Sequence, residues 1–289
     1  MLTAYLRYLS RARDEHSLHS PFLFALYTQI IRSDNRREKA FVPIRDLQRA
    51  LRQSRVPIQV TDFGAGSRRG TARQAGPRQA GPRQAEFRLG NELETELLVN
   101  TARQRIIGDV ARTSQKPAPF GRLLFRLVRQ FQAKTIIDLG TSFGLTTAYM
   151  AEAARLQNGH VQTFEGCPQT AQIARQNFEQ LGITNTEVIV GNLDETLVQH
   201  ISRMSPVDFV FFDANHRYEP TVRYFETCLK AVHNDTVFVF DDIHWSDEMD
   251  QAWTYIKAHS AVTVTVDLFW VGIVFFRKEQ PKQDFVLRF

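Results

Sequence analysis

The sequence predicts an α/β fold: a doubly wound, mostly parallel, seven-stranded sheet with a C-terminal antiparallel hairpin and an N-terminal helical extension. From residue 134 onward, short apolar runs alternate with amphipathic helical segments, which is typical of a parallel sheet covered on both faces. The last two apolar runs are separated only by Phe269 and Trp270, too few residues for a crossover helix, so they must pair antiparallel. The N-terminal segments carry apolar residues at helical spacing instead.

The elements of the sheet region follow in order along the chain. Parallel strands are predicted at 134–139, 160–165, 186–190, 207–213 and 236–241. Helices are predicted near 144–156, 168–182, 193–204, 218–232 and 246–259. The closing hairpin is formed by Val262–Leu268 and Val271–Arg277.

The N-terminal extension is predicted to be mainly helical. Its helices are expected at 2–12, 20–33, near 92–112 and at 119–132, the last leading into the first strand of the sheet. We therefore expect two units, a helical cap at 1–118 and a sheet domain at 119–289.

An arginine-rich insert lies inside the cap. Residues 68–88 hold six arginines and one acid, and they repeat the pentapeptide Gln-Ala-Gly-Pro-Arg at 74–78 and 79–83. Gly-Pro steps propagate neither helix nor sheet, so the insert is predicted to be a disordered loop. An arm that binds nucleic acid is the less favoured alternative.

Charge and composition narrow the function classes. The insert carries a net charge of +5, which equals that of the whole 289-residue chain, so the remainder is not a basic nucleic-acid-binding surface. No stretch approaches the roughly 20 apolar residues of a membrane span, and the N-terminus lacks an apolar signal region. Two cysteines are too few for a disulfide framework. We expect a cytoplasmic protein without a membrane or nucleic-acid partner.

The most informative motif follows the first predicted strand. The apolar run Thr135-Ile136-Ile137 ends at Asp138, and the chain then turns through Gly140 and Gly144 into a helix. A glycine loop that opens a helix presents free backbone N–H groups to a ligand. Asp-x-Gly-x-x-x-Gly differs from the Gly-x-Gly-x-x-Gly of dinucleotide-binding proteins, because Ser and Leu stand at positions 142 and 145.

Polar residues also stand at the ends of the other parallel strands, where ligands bind in doubly wound sheets. Glu165 ends the second strand, where a carboxylate can accept both hydroxyls of a ribose. Asn192 follows the third strand, and Asp194 is a candidate cap of the next helix. The ends of the fourth and fifth strands contribute Asp213, His216, Asp241, Asp242 and His244.

This arrangement resembles the class I S-adenosylmethionine-dependent methyltransferases, in the form seen in small-molecule O-methyltransferases of the catechol and caffeoyl type. The resemblance covers about residues 120–278 and implies S-adenosylmethionine as cofactor, a small-molecule methyl acceptor, and a divalent cation such as Mg²⁺ beside it. The cofactor-binding residues that it implies are Asp138, Gly140, Thr141, Ser142, Gly144, Glu165, Asn192 and Asp213. The implied metal ligands are Asp213, Asp241 and Asp242, and the implied catalytic residues are Asp213, His216, Asp241 and His244.

The sequence departs from that family at the catalytic positions. Asp213-Ala214-Asn215-His216 stands where the family usually has Asp-Ala-Asp-Lys, Asp242 stands where Asn is usual, and the lysine near the acceptor hydroxyl has no obvious counterpart. The metal is therefore open, and without it His216 or His244 is the candidate general base.

Other interpretations of the whole chain stay open as well. One is a nucleotide (NAD)-binding oxidoreductase on the same Rossmann-like sheet, and another is a non-catalytic adaptor that retains the fold. A second Asp-x-Gly-x-Gly motif at 62–66 is interpreted as a turn or part of a lid, because the arginine-rich insert follows it instead of a helix.

Overall fold

The computed structural model describes residues 2–61, 102–203 and 206–289. Its main sheet has eight strands in the order β10-β8-β9-β7-β6-β3-β4-β5. The five parallel strands are β3 (Thr135–Leu139), β4 (His160–Glu165), β5 (Thr186–Val190), β6 (Phe209–Phe212) and β7 (Val237–Asp241). The strand order reverses between β3 and β6, because β4 and β5 lie on one side of β3, whereas β6 and β7 lie on the other, and this is where a doubly wound sheet opens a ligand crevice.

The C-terminal strands close the sheet on the β7 side. β8 (Val264–Asp267) and β9 (Val271–Phe275) form the predicted antiparallel hairpin, and β9 also pairs antiparallel with β7. β10 (Gln283–Val286), which was not predicted, pairs parallel with β8 and adds an eighth strand.

Both faces of the sheet are buried because side chains alternate along each strand. Phe209, Phe211 and Val239 belong to one hydrophobic cluster, and Val210 and Phe238 belong to the other. The covering helices are α5 (Ala118–Gln130), α6 (Leu145–Arg155), α7 (Pro168–Leu181), α8 (Leu193–Ile201), α9 (Tyr218–Leu229) and α10 (Asp247–Ala258).

The N-terminal helices share the first of these clusters. α1 (Leu2–Arg11) is followed by α2 (Pro21–Ala25), which continues as a π-helical turn at Leu26–Ile31, and by α3 (Phe41–Gln53). Leu26 and Phe41 are buried in the same cluster as Val239 of the sheet. The extension therefore covers one face of the sheet domain, and the boundary at 118 stays a prediction.

One predicted helix is partly wrong. Within the range near 92–112, Ala102–Ile106 forms strand β2, which pairs antiparallel with β1 (Pro57–Thr61), and helix α4 (Ile107–Ser114) begins only afterwards. Pairing with β1 decides the conformation, since local helical spacing is a weak preference that a neighbouring strand can override.

Two of the predictions concern residues that the structure does not describe. The arginine-rich insert at 68–88 and the second glycine motif at 62–66 lie outside the described residues. Among the described residues, no helix is both long and apolar enough to span a bilayer.

Candidate active site

The glycine loop between β3 and α6 packs directly on the end of β6. Gly140 has φ +113°, and a Cβ added there would lie 2.2 Å from the carbonyl oxygen of Asp213. The Gly140 and Thr141 N–H groups donate to the Phe164 carbonyl at 3.1 and 3.0 Å, which fastens the loop to β4. Gly144, with φ +77°, precedes α6 without a side-chain cap, so the first N–H groups of this helix are not capped from within the loop.

Asp138 lies beneath this loop and not on its surface. Its fully buried carboxylate accepts hydrogen bonds from the hydroxyls of Thr147 at 2.6 Å and Thr163 at 2.8 Å. Thr141 is also buried, and its hydroxyl lies 2.6 Å from that of Thr163. Burial raises the pKa of Asp138 to about 7, although the two threonine hydroxyls oppose the rise. Asp138 and Thr141 thus support the loop from below, whereas a direct contact with cofactor had been expected.

Glu165 joins the loop to the end of β4. One carboxylate oxygen accepts the Ser142 N–H at 2.8 Å, and the other accepts the Cys167 N–H at 2.9 Å. The side chain is half-buried. Its position at the strand end is the one expected for binding a ribose.

Asn192 has a structural role that the sequence assigned to Asp194. Asn192 precedes α8, and its side-chain oxygen accepts the N–H of Asp194 at 3.1 Å, so Asn192 is the helix cap. Asp194 instead pairs with Arg223 at 2.8 Å. Asn192 remains exposed at the end of β5, on the same edge as Glu165.

The acids predicted at the ends of β6 and β7 do lie together. Single ligand atoms of Asp213, His216 and Asp241 are all within 4.8 Å of one another. The loop after β6 turns through left-handed backbone at Asn215 and His216, and this brings the His216 Nε2 to 3.3 Å from Asp213. Asp242, also left-handed, follows directly on Asp241.

A lysine that sequence reasoning missed completes this cluster. Lys116 precedes Pro117 in the segment between α4 and α5. Its Nζ contacts Asp241, and it lies 3.3 Å from Asp242 and 3.6 Å from Asp213. Lys116 and Asp242 are 126 positions apart, so no local motif could have connected them.

The charges in the cluster depend on one another. Burial opposes a charged Lys116, but Asp213, Asp241 and Asp242 together raise its pKa well above the ordinary value, so the side chain is an ammonium ion. Burial alone would raise the pKa of Asp213, yet Lys116 and His216 hold it below the ordinary value. For Asp241, burial raises the pKa against the opposing effect of Lys116, and the carboxylates of Asp213 and Asp242 raise it further.

A divalent cation fits the donor atoms of this cluster but not its space. Carboxylate oxygens and water are the ligands that Mg²⁺ prefers, and Asp213, Asp241 and Asp242 supply them. However, the Lys116 ammonium lies among these three carboxylates, within 3.6 Å of Asp213 and 3.3 Å of Asp242. A metal would have to displace it, because two cations repel at that separation.

His244 is not placed as a general base. Its Nδ1 contacts Asp250 and its Nε2 lies 2.8 Å from Asp267, so both ring nitrogens are engaged by acids. Burial alone would lower its pKa, but Asp267 and Asp250 raise the pKa of His244 above the ordinary value. The catalytic role expected from its position after β7 is therefore corrected: His244 joins β8 to α10.

The comparisons with known proteins agree with this fold. Residues 137–243 match a family model described as a methyltransferase domain. Catechol O-methyltransferases from Niastella koreensis and Mycobacterium tuberculosis are both 32% identical, over 43% of this chain and 55% and 54% of their own lengths. The chain thus matches about half the length of these relatives.

A solved structure extends the likeness. The O-methyltransferase from Bacillus cereus in complex with S-adenosylhomocysteine is 25% identical, with a TM-score of 0.50 over 63% of this chain and 90% of its own. Residues 137–243 are thus similar to a methyltransferase domain, and the sheet order and the position of the glycine loop agree with that likeness.

Proposed function

We propose that this protein transfers a methyl group from S-adenosylmethionine to an oxygen of a small molecule. The observation that carries the proposal is the juxtaposition, along one sheet edge, of the Glu165 loop and the cluster around Asp213. We call the first region, Asp138–Gly144 with Glu165, the cofactor half. The second region, Asp213, His216, Asp241, Asp242 and Lys116, is the acceptor half.

The cofactor half has the groups that this cofactor needs. The Glu165 carboxylate is fixed by the Ser142 and Cys167 N–H groups, and it stands at the strand end where an acidic residue binds ribose hydroxyls in doubly wound sheets. The uncapped N-terminus of α6 favours a negative group, such as the carboxylate of the methionine portion. The solved relative from Bacillus cereus binds S-adenosylhomocysteine, which supports the same class of ligand here.

The acceptor half handles the proton of the acceptor hydroxyl. When bound, S-adenosylmethionine supplies a methyl group on a cationic sulfur; the acceptor oxygen takes that methyl as the C–S bond breaks, with its electron pair remaining on sulfur. The acceptor proton passes to His216, which Asp213 orients across 3.3 Å. Asp213 also stabilises the imidazolium that results. The pKa of Asp213 is held below its ordinary value, so its carboxylate stays charged.

The acceptor class comes from the relatives named catechol O-methyltransferase, so phenols and catechols are the first acceptors to examine. A cytoplasmic location is part of the proposal and is supported by two unpaired, buried thiols, Cys167 and Cys228.

Titration calorimetry with S-adenosylhomocysteine tests the cofactor half. We expect Glu165→Gln to weaken binding at least about tenfold, because a charged acceptor of two hydroxyls becomes a neutral one. Glu179→Gln on the exposed face of α7 is the matched control and should leave the affinity unchanged. Tight binding of NAD together with no binding of S-adenosylhomocysteine would contradict the proposal and favour the oxidoreductase alternative.

A further inference from the structure

Lys116 occupies the point that three carboxylates share. Its ammonium group contacts Asp241 and lies within 3.6 Å of Asp213 and 3.3 Å of Asp242, and the side chain is only 19% exposed. The ammonium donates to Asp242 and contacts Asp241, whereas Asp213, at 3.6 Å, is paired with it by charge alone. The charge of Lys116 is thus used within the cluster.

The backbone around Lys116 is held in place. Gln48 of α3 donates its side-chain amide to the Lys116 carbonyl at 3.2 Å. Pro117, the next residue, caps α5 and restricts Lys116 to extended conformations. The ammonium is therefore delivered by a fixed segment, and not by a long surface side chain that happens to reach the acids.

Three neighbouring carboxylates repel one another, so a nearby cation stabilises their close approach. In this chain the cation comes from position 116, which lies outside the 137–243 segment that the methyltransferase family model matches. The acids thus belong to the matched domain, whereas their counter-charge belongs to the N-terminal extension.

We infer that the Lys116 ammonium takes the place of a divalent cation in the acceptor half, so that the cluster is assembled without metal. Lys116 acts as a positioning residue: it holds Asp213 in the orientation that pairs with His216, and its bulk and charge keep metal ions out. The inference deepens the proposed function and rests on it for its catalytic meaning, but the exclusion of metal is a property of the protein alone.

Binding of Mn²⁺, followed by the electron paramagnetic resonance signal of the free ion, tests the inference without any methyl transfer. We expect no site in the unsubstituted protein at neutral pH. In Lys116→Met, we expect affinity for one Mn²⁺ to rise at least about tenfold, because the carboxylates lose their internal cation. Lys116→Arg restores a cation and should again exclude Mn²⁺, and Lys230→Met, on the exposed end of α9, is the matched control.

Two results would overturn the inference. One is stoichiometric Mn²⁺ binding by the unsubstituted protein that Asp241→Asn removes. The other is a folded Lys116→Met protein, verified by thermal unfolding, that binds no more Mn²⁺ than the unsubstituted protein; Lys116→Gln serves the same purpose if the methionine variant does not fold. Calorimetry with S-adenosylhomocysteine on the same samples separates these results from failure of the proposed function, since the proposal assigns cofactor binding to the cofactor half and not to Lys116.

Discussion

The cofactor half and the acceptor half balance their buried acids in different ways. In the cofactor half, the carboxyl groups of Asp138 and Glu165 accept hydrogen bonds from hydroxyl and backbone N–H donors. These donors lie within 25 positions along the chain. In the acceptor half, three carboxylates depend on Lys116, which comes from the N-terminal extension. The first half is thus a product of one β-α-β unit, and the second requires that two parts of the chain be packed together.

Gly140 joins the two halves, and we expect the largest effect there. In Gly140→Val the new side chain would begin 2.2 Å from the Asp213 carbonyl, at a φ of +113° that valine does not tolerate. The loss of unfolding free energy should be about 3 kcal/mol or more, together with loss of S-adenosylhomocysteine binding. Urea unfolding measures the first and calorimetry the second.

Gly182 provides the control for that substitution. It also has positive φ, +65°, but an added Cβ meets nothing within 4 Å. Gly182→Ala should therefore cost only about 1 kcal/mol and leave the affinity intact. Equal losses in the two variants would show that Gly140 matters for its φ alone and not for the approach of the loop to β6.

Asp138 should give the cofactor half a distinctive pH dependence. Its pKa is about 7 in the folded protein, raised from 3.8 by burial, so the folded state retains a proton that the unfolded state has lost between these values. Stability should therefore fall as the pH rises from about 4 to about 7, by at most about 4 kcal/mol. Asp138→Asn removes this titration. The free energy of unfolding of the variant should therefore rise relative to that of the unsubstituted protein as the pH increases over that range.

Urea unfolding at pH 5 and pH 8 measures the change. Asp247→Asn in the exposed first turn of α10 is the control and should show the same pH profile as the unsubstituted protein. If the difference between Asp138→Asn and the unsubstituted protein is the same at both pH values, the burial argument for Asp138 fails.

His244, which lies beside the acceptor half, should give the stability of the protein a smaller pH dependence than Asp138 does. Its folded pKa is raised above 6.5 by Asp267 and Asp250, against burial, so its stabilisation is complete below pH 6.5 and is lost as the pH rises through the folded value. His244→Gln should therefore cost about 1 to 2 kcal/mol at pH 6 and less at pH 9. His160→Gln, at an exposed position, should cost little at either pH, and a larger cost of His244→Gln at pH 9 would contradict the assignment.

The smallest effect is expected at Asn192. As the cap of α8, Asn192→Ala should cost about 1 kcal/mol of unfolding free energy, whereas Asn192→Asp should preserve the cap. Calorimetry with S-adenosylhomocysteine on both variants then tests whether Asn192 also contacts the cofactor, as the sequence predicts. Unchanged affinity in Asn192→Ala would restrict Asn192 to capping and exclude it from the cofactor half.

The sequence was sufficient where neighbouring positions decide the structure. Asp138, Gly140 and Glu165 could be found because a strand, a loop and the next strand place them together in any sheet of this order. Likewise, the two residues between β8 and β9 left antiparallel pairing as the sole solution.

The sequence was insufficient where distant segments meet. Lys116 reaches the acids through a segment whose course depends on α3 and α5, and β2 forms because β1 lies beside it. The contact of His244 with Asp267 of β8 likewise joins different elements, and the position of His244 after β7 does not predict it. Each of these contacts depends on tertiary packing, which the spacing of residues along the sequence does not predict.

Transfer of labelled methyl from S-adenosylmethionine to catechol, with and without EDTA, tests most directly whether the two halves form one site. We predict that label enters the product at the same rate with and without the chelator, and that Glu165→Gln and Asp213→Asn each reduce it. A protein that binds S-adenosylhomocysteine but passes no label to catechol or to other phenols would contradict the account.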